Sequence, residues 1–182
     1  MAELPYDDEI LDLVDINDNV IGQLTHEEVF NFANDGHGYV RGVNAFIINS
    51  DGKLWVPRRR PEKRIAPNGL DYSVGEHVMS GESYDDAVVR GFEEELNMVV
   101  TIDQLQQFSI TKPRPGMPAY FTGNYILRSN VDPSYNLNDF TGAEWLTPTE
   151  LIDRLKSGDS GKQSLIDTTE SLLDYLSQNS SN

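Results

Sequence analysis

Residues 75–98 read GEHVMSGESYDDAVVRGFEEELNM, a glycine-containing turn followed by an acidic segment. Ser83 precedes the acidic residue Asp86 at the spacing of a helix N-cap and its third helical position, which predicts a helix from Ser83 to about Asn97. Apolar residues recur along this segment at helical spacing, namely Ala87, Val88, Phe92 and Leu96. The segment is therefore predicted to form a turn and an amphipathic helix.

The helical period separates the three adjacent glutamates of this segment. Glu94 and Glu95 follow Gly91 by three and four residues and share its face of the helix, whereas Glu93 points away. Arg90 lies beside that face. The negative charges of the adjacent glutamates repel each other, and a divalent cation would offset this repulsion. Because Mg²⁺ and Mn²⁺ prefer carboxylate, water and phosphate oxygens, Glu94 and Glu95 are candidate ligands of such an ion.

The same run resembles the signature of the Nudix hydrolases, G-x5-E-x7-R-E-U-x-E-E-x-G-U, in which U is a bulky aliphatic residue. Four charged positions match it in register: Glu82, Arg90, Glu94 and Glu95. Glu76 stands at the first signature glycine, Gly91 replaces the glutamate after the arginine, and Asn97 replaces the last glycine. The alternative, a solvated acidic helix face, explains neither the spacing of the arginine nor the preceding strand and turn.

The resemblance implies a fold for nearly the whole chain, an α/β/α sandwich with a mixed central sheet. The length suits a single domain over residues 1–182, with a hairpin-and-helix extension at 1–35 and a disordered tail at 177–182. Patterning predicts strands at 9–14, 19–23, 40–48, 53–58, 71–79, 106–112 and 119–127, and helices at 25–32, 83–97, 148–155 and 162–176.

The resemblance also implies a reaction, in which water attacks a phosphorus of a nucleoside diphosphate linked to another group. In that reading Glu94 and Glu95 ligate Mg²⁺ or Mn²⁺, and the backbone carbonyl of Glu76 adds an oxygen. Arg90 holds Glu82 and the helix carboxylates through charge-assisted hydrogen bonds. The substrate is then a small diphosphate.

Gly91 departs from this pattern because glycine offers neither a metal ligand nor a general base. Asp139, a few residues ahead of Trp145, is a candidate replacement, and its alternative role is that of a turn former. Glu144 is a weaker candidate. The same departure leaves a second function open, a Nudix-like regulatory domain that binds a nucleotide or diphosphate without turning it over.

Within the family, the chain looks most like the branch related to isopentenyl-diphosphate isomerase. The isomerase needs a catalytic cysteine at the position aligned with Gly75, and this chain has no cysteine, which excludes isomerase activity by that mechanism. His77 aligns with an isomerase metal ligand. Its alternative role is a strand residue with a local hydrogen bond.

A basic segment precedes the acidic one. The predicted hairpin at 44–58 ends in Arg58, Arg59 and Arg60, and Lys63 and Arg64 follow. Guanidinium groups there are candidates for binding a diphosphate, and strand alternation would direct either Arg59 or the pair Arg58 and Arg60 toward the site. A solvated basic edge and intramolecular pairing with the excess acid are the alternatives. The family resemblance adds one more candidate for substrate binding, Arg41.

Composition limits the partners. The formal net charge of -16 argues against electrostatic binding to a nucleic-acid polymer, so an anionic substrate needs a local basic pocket. The chain has neither an apolar run long enough to span a membrane nor a secretory signal pattern, and we expect a cytoplasmic protein. The absence of cysteine excludes disulfides and thiolate zinc sites. Homodimer formation is left open.

Overall fold

A computed structural model describes residues 9–32, 38–114 and 120–179. Its elements in chain order are β1 (Ile10–Val14), β2 (Val20–Thr25), α1 (His26–Phe32), β3 (Val40–Ile48), β4 (Leu54–Arg59), β5 (Val74–His77), α2 (Tyr84–Leu96), a 3-10 turn (Ile102–Gln104), β6 (Leu105–Thr111), β7 (Tyr120–Arg128), β8 (Phe140–Leu146), α3 (Pro148–Lys156) and α4 (Leu165–Asn179).

The N-terminal segment forms the predicted hairpin and short helix. β1 and β2 pair antiparallel in a two-stranded sheet of their own. The turn between them is stabilised by Asp15, whose carboxylate accepts hydrogen bonds from the backbone N–H groups of Asn17 and Asn19 at 2.8 and 3.0 Å. α1 begins after Thr25, which exchanges capping hydrogen bonds with Glu28. Parts of the expected extension, residues 1–8 and 33–35, lie outside the described ranges.

The main sheet has six strands and is mixed, as predicted. Five strands follow the order β6-β7-β3-β4-β8, and β5 pairs with β3. β3 and β7 run parallel, with Val40 opposite Tyr120 and Ile48 opposite Arg128, and the other pairs are antiparallel. A tight turn joins β3 to β4, with Gly52 at φ 74°, a conformation that favours glycine. β3 is therefore the central strand.

Helices cover both faces of this sheet. Successive residues of a strand point to opposite faces, and β3 sends Val43, Ala45 and Ile47 toward α2. Phe46 and Ile48 pack on the other side with residues of α3 and α4, including Leu151, Leu165 and Leu172. Burial on both faces explains why β3 reads as an almost continuous apolar run. The α/β/α sandwich is confirmed.

The clearest differences from the prediction are one shortened strand, one missed strand and a final helix displaced from 162–176 to 165–179. The strand expected at 71–79 is only β5, because the Ser73 hydroxyl accepts from the Ile47 N–H and donates to the Trp55 carbonyl, replacing backbone pairing there. β8 was missed, since its Thr-Gly-Ala-Glu sequence lacks strand alternation. α4 continues to Asn179, so the tail expected to be disordered from 177 is helical for its first three residues. Residues 180–182, and Ala119 of the predicted strand 119–127, lie outside the described ranges.

No helix in the described parts of the chain is both long enough and apolar enough to cross a lipid bilayer.

Candidate active site

The site is organised by α2, whose two ends are capped. At the N-terminus, Ser83 Oγ accepts from the Asp86 N–H at 3.1 Å and the Asp86 carboxylate accepts from the Ser83 N–H at 3.2 Å. At the C-terminus, Asn97 adopts a left-handed conformation with φ 52°. Asparagine is the residue after glycine that tolerates this conformation best, which explains how it replaces the last signature glycine.

Arg90 connects the helix to β5 and to the turn before the helix. Its guanidinium donates to both carboxylate oxygens of Glu82 at 2.9 and 3.0 Å, to Glu94 Oε2 at 2.9 Å, and to the carbonyl of His77 at 2.8 Å. Burial opposes its charge, but these hydrogen bonds and the nearby carboxylates raise the pKa of Arg90 above its ordinary value. Arg90 is thus a permanent cation with its donors directed at carboxylates and one carbonyl.

Glu95 and Glu76 are two carboxyl side chains of the site whose pKa values are raised. Glu95 lies on α2 and accepts at 3.4 Å from the N–H of Gly75, the residue before Glu76 on β5. Burial, reinforced by the charge of Glu76, raises the pKa of Glu95 well above its usual range. Burial also raises the pKa of Glu76, whose side chain is only 10% exposed. Two buried, mutually repelling oxygen donors suit Mg²⁺ or Mn²⁺.

Glu94 is placed differently from Glu95. Its side chain is 55% exposed and hydrogen-bonds with Arg90. In the described ranges, the one group of three histidine or acidic side chains whose ligand atoms all lie within 4.8 Å of one another is Glu9, His26 and His77. Glu94 therefore does not lie that close to both Glu76 and Glu95, and its role as a ligand remains a prediction.

His77 is the last residue of β5. Its backbone carbonyl accepts from Arg90, and its ring contacts other residues. Its Nε2 is 3.2 Å from the Tyr120 hydroxyl, and its Nδ1 is 3.8 Å from Glu9 Oε2. Its ring stacks on Tyr120 and meets His26 edge to face. The local hydrogen bond expected as the alternative to metal ligation is present.

The arginines at the end of β4 are all engaged by groups of the chain itself. Arg58 makes a bidentate pair with Asp159 at 2.8 and 3.1 Å. Arg59 pairs with Asp71, whose side chain is 3% exposed, and donates to the carbonyl of Ile65. Arg60 bonds to Glu62 and to the carbonyl of Leu137. These contacts match the intramolecular alternative, and binding of substrate by these side chains remains a prediction.

The two other candidates for substrate binding are Arg41, whose side chain is 17% exposed, and Arg64, which is exposed. Arg41 lies over the Tyr84 ring and donates to both the carboxylate and the backbone carbonyl of Asp18, each at 2.6 Å. Asp12 is a second acidic neighbour at 3.8 Å. Arg64 lies exposed in the connection between β4 and β5. Arg41 thus attaches the N-terminal hairpin to the main sheet.

The acidic residues proposed as replacements for the missing glutamate are both ion-paired. Asp139 is 8% exposed, and its carboxylate binds the Lys63 ammonium group. The loop that carries it is attached to α2, since the Asn136 N–H donates to the carbonyl of Glu95 at 2.7 Å. Glu144 on β8 binds Arg154. A catalytic role for Asp139 remains a prediction.

Lys162 is a site residue that the sequence did not indicate. It lies just before α4, and its Nζ is 3.1 Å from Asp71 Oδ1. A β-carbon built on Gly75 would lie 2.6 Å from the same nitrogen, and the positive charge of Lys162 acts to lower the pKa of Glu95. An isolated lysine far along the chain carries no motif, so only the fold reveals this contact.

Comparison with known proteins identifies the class to which this fold and site belong. The family described as NUDIX domain matches residues 38–168. The chain is 44% identical over 158 residues to an uncharacterized Nudix hydrolase from Nostoc sp., covering 87% of this chain and 92% of the relative. It is 41% identical over 159 residues to a Nudix hydrolase from Deinococcus radiodurans, covering 87% and 90%. The chain therefore belongs to the Nudix hydrolase superfamily.

Structural and more distant relatives agree with this assignment. The crystal structure of DR0079 from Deinococcus radiodurans superposes with a TM-score of 0.77 at 41% identity, covering 89% of this chain and 98% of that one. An isopentenyl-diphosphate Delta-isomerase from Kocuria rhizophila is 26% identical over 116 residues, covering 61% of this chain and 64% of the relative. The isomerase branch is thus a distant relation.

Proposed function

We propose that this protein is a pyrophosphohydrolase that uses Mg²⁺ or Mn²⁺ to hydrolyse a nucleoside diphosphate linked to another group. The observation that carries the proposal is the group of carboxyl side chains around Arg90: Glu76, Glu82 and Glu94 approach its guanidinium, and Glu95 accepts from the N–H of Gly75 next to Glu76. Two adjacent carboxyl groups in a buried position are costly unless a cation or a proton neutralises them. A divalent cation fits this donor set because all its donors are oxygens.

The side chains of the site have separate roles in this proposal. Glu95 and Glu94 hold the cation, and Arg90 orients Glu82 and Glu94 through its fixed fork of donors. The bound cation would offset negative charge on the diphosphate and favour ionisation of water. Lys162 adds a positive charge near Gly75, where a phosphate would otherwise meet an acidic surface. The substrate class follows from family membership together with this charge arrangement.

The alternative, a domain that binds a diphosphate without hydrolysing it, is favoured by one observation, the glycine at position 91. Loss of a carboxylate that acts in the transition state lowers the rate by about two to three orders of magnitude and need not weaken binding. The two functions differ in whether products form.

The test is a panel of nucleoside diphosphate sugars, dinucleotides and nucleoside triphosphates, incubated with Mg²⁺, Mn²⁺ or EDTA, with detection of phosphate-containing products. We expect metal-dependent turnover that falls by about a thousandfold in Glu95→Gln. Glu93→Gln is the matched control, because Glu93 is exposed on the same helix. Thermal stabilisation by a compound that is not hydrolysed would favour the binding domain, and no response to any metal or nucleotide would refute both.

A further inference from the structure

Gly91 is buried, and the structure shows which side chains fill the space next to it. A β-carbon built on Gly91 would lie 2.6 Å from Cγ1 of Val74 and 2.9 Å from Cγ of Glu76. Non-bonded carbon atoms prefer separations of about 3.5 to 4.0 Å, so these distances are strongly repulsive. Position 91 therefore cannot carry a side chain while Val74 and Glu76 remain where they are.

Glu76 extends from β5 across Gly91 into the centre of the site. Its Oε2 is 3.7 Å from Nη1 of Arg90, and its side chain is only 10% exposed. The backbone carbonyl of Glu76 lies toward β3 instead, where a β-carbon on Gly42 would be 3.3 Å from it. The side chain of Glu76, which the sequence motif gave no reason to consider, thus lies next to Gly91 and approaches Arg90.

The two departures from the signature are therefore related. Glu76 stands where the signature has glycine, and Gly91 stands where the signature has glutamate. A side chain at position 91 would need the volume that the Glu76 side chain fills, since a β-carbon on Gly91 would lie 2.9 Å from Cγ of Glu76. Relative to the signature, glycine and glutamate are interchanged between two facing positions, one on β5 and one on α2. The space between these positions is filled by the side chain of Glu76.

We propose that the carboxylate of Glu76, supplied from β5 rather than from α2, is the third carboxylate ligand of the cation site. It takes the place of the glutamate that the signature has at position 91. This inference rests on the proposed function. It replaces the expected carbonyl ligand of Glu76 with the side chain of the same residue, and it removes the need for Asp139 as a substitute.

The test compares Glu76→Gln with Glu93→Gln, since both remove one carboxylate and keep the side-chain size. Mn²⁺ affinity of the nucleotide-free protein is measured by electron paramagnetic resonance, with thermal melting to verify the fold. We expect Glu76→Gln to weaken Mn²⁺ binding by at least about tenfold, and Glu93→Gln to bind as the wild type does. Turnover, measured separately, should fall in Glu76→Gln and not in Glu93→Gln.

The outcomes separate this inference from the proposed function. If the wild type binds Mn²⁺ and hydrolyses a substrate, and Glu76→Gln behaves like Glu93→Gln, then Glu76 is not a ligand and the proposed function stands. If the wild type neither binds Mn²⁺ nor hydrolyses any compound of the panel, both are refuted.

A second experiment returns the carboxylate to the helix. The double variant Val74→Ala/Glu76→Gly opens the space beside Gly91, and adding Gly91→Glu supplies the signature residue. We expect the triple variant to bind Mn²⁺ at least about tenfold more tightly than the double variant. Equal affinity of two folded variants would contradict the conclusion that positions 76 and 91 serve one ligand site.

Discussion

The chain has two strongly charged regions close to each other in the sequence, and they are neutralised to different extents. In the arginine run, residues 58–60, each guanidinium has a different acidic partner: Asp159, Asp71 and Glu62. The Arg90 cluster, which comprises Arg90, Glu76, Glu82, Glu94 and Glu95, has a single arginine for four carboxyl groups. One region is internally balanced, and the other retains an excess of negative charge.

The two regions show how structural charge can be distinguished from functional charge. A buried ion pair whose partners satisfy each other holds strands and loops together, and a further ligand gains little from it. A buried group of like charges is destabilising by itself and is expected where a ligand completes it. On this criterion we expect the arginine run to stabilise the fold, and we propose that the Arg90 cluster is where a cation binds.

Among substitutions of the arginines in the two regions, the largest effect on activity is expected from Arg90→Lys. Lysine keeps the positive charge but lacks the planar fork that bonds Glu82, Glu94 and the His77 carbonyl together. We expect turnover to fall by about a hundredfold, since the carboxylates lose their fixed positions. Steady-state kinetics at saturating Mg²⁺ checks this, with Arg60→Lys as the control from the arginine run. Equal activity of the two variants would remove the functional distinction between the regions.

The largest effect on stability is expected from Arg59→Ala. It leaves the buried carboxylate of Asp71 with Lys162 as its remaining cation, and removal of one partner of a buried pair costs about 3 kcal/mol. The matched control is Arg60→Ala, because its partner Glu62 is 68% exposed and such pairs contribute less than about 1 kcal/mol. Urea unfolding measures both. A small loss for Arg59→Ala would show that the arginine run does not stabilise the fold.

A moderate effect is expected from Gly91→Ala. Alanine favours a helix interior by about 1 kcal/mol over glycine, but overpacking of a filled core costs about 1 to 3 kcal/mol. Because the new methyl group would lie 2.6 Å from Val74, we expect a net loss of about 1 kcal/mol by urea unfolding. The loss should be smaller when Gly91→Ala is made in a Val74→Ala background, where the approach to Glu76 remains. A stabilised single variant would show that the space beside Gly91 is open.

The smallest effect concerns the pH dependence of the Arg58 pair. The hydrogen bond from Arg58 is the main reason that the pKa of Asp159 lies below its ordinary value. A lowered carboxyl pKa contributes stability above the unfolded pKa, and this contribution is lost as the pH falls through the folded pKa. Asp159→Asn should therefore destabilise by up to about 1 kcal/mol at pH 7 and by less under acidic conditions. Unfolding curves across this range check the trend, and a pH-independent loss would contradict it.

Local sequence signals predicted α2 and the hairpin of β3 and β4 well. Capping residues and turn glycines act within a few residues, so Ser83, Asn97 and Gly52 could be interpreted without the fold. β8 was missed because its strand conformation comes from pairing with β4 and not from an apolar pattern. The end of α4 was misplaced because the polar residues at 177–179 look like a tail.

The candidate site was predictable only in part, because local sequence signals do not show which distant residues reach the site. Glu82, Arg90 and Glu94 were identified by spacing, and the structure joins them by hydrogen bonds. Lys162 was not identified, since it reaches the site through a connection that packs beside Leu70. Intramolecular pairing of the arginines at 58–60 was expected as an alternative to substrate binding. Their acidic partners could not be named, since Asp71 and Asp159 lie 12 and 101 residues along the chain.

The spacing of Arg90 and the glutamates on a capped helix follows from the amino-acid sequence, because the geometry of a helix depends on its own residues. The position of the Glu76 side chain beside Gly91, and the neutralisation of each arginine of the run, follow from the packing of the fold. Both depend on which strand packs against which helix. Such neighbours are set by packing of the whole domain, where residues distant in the chain exclude one another from the same volume.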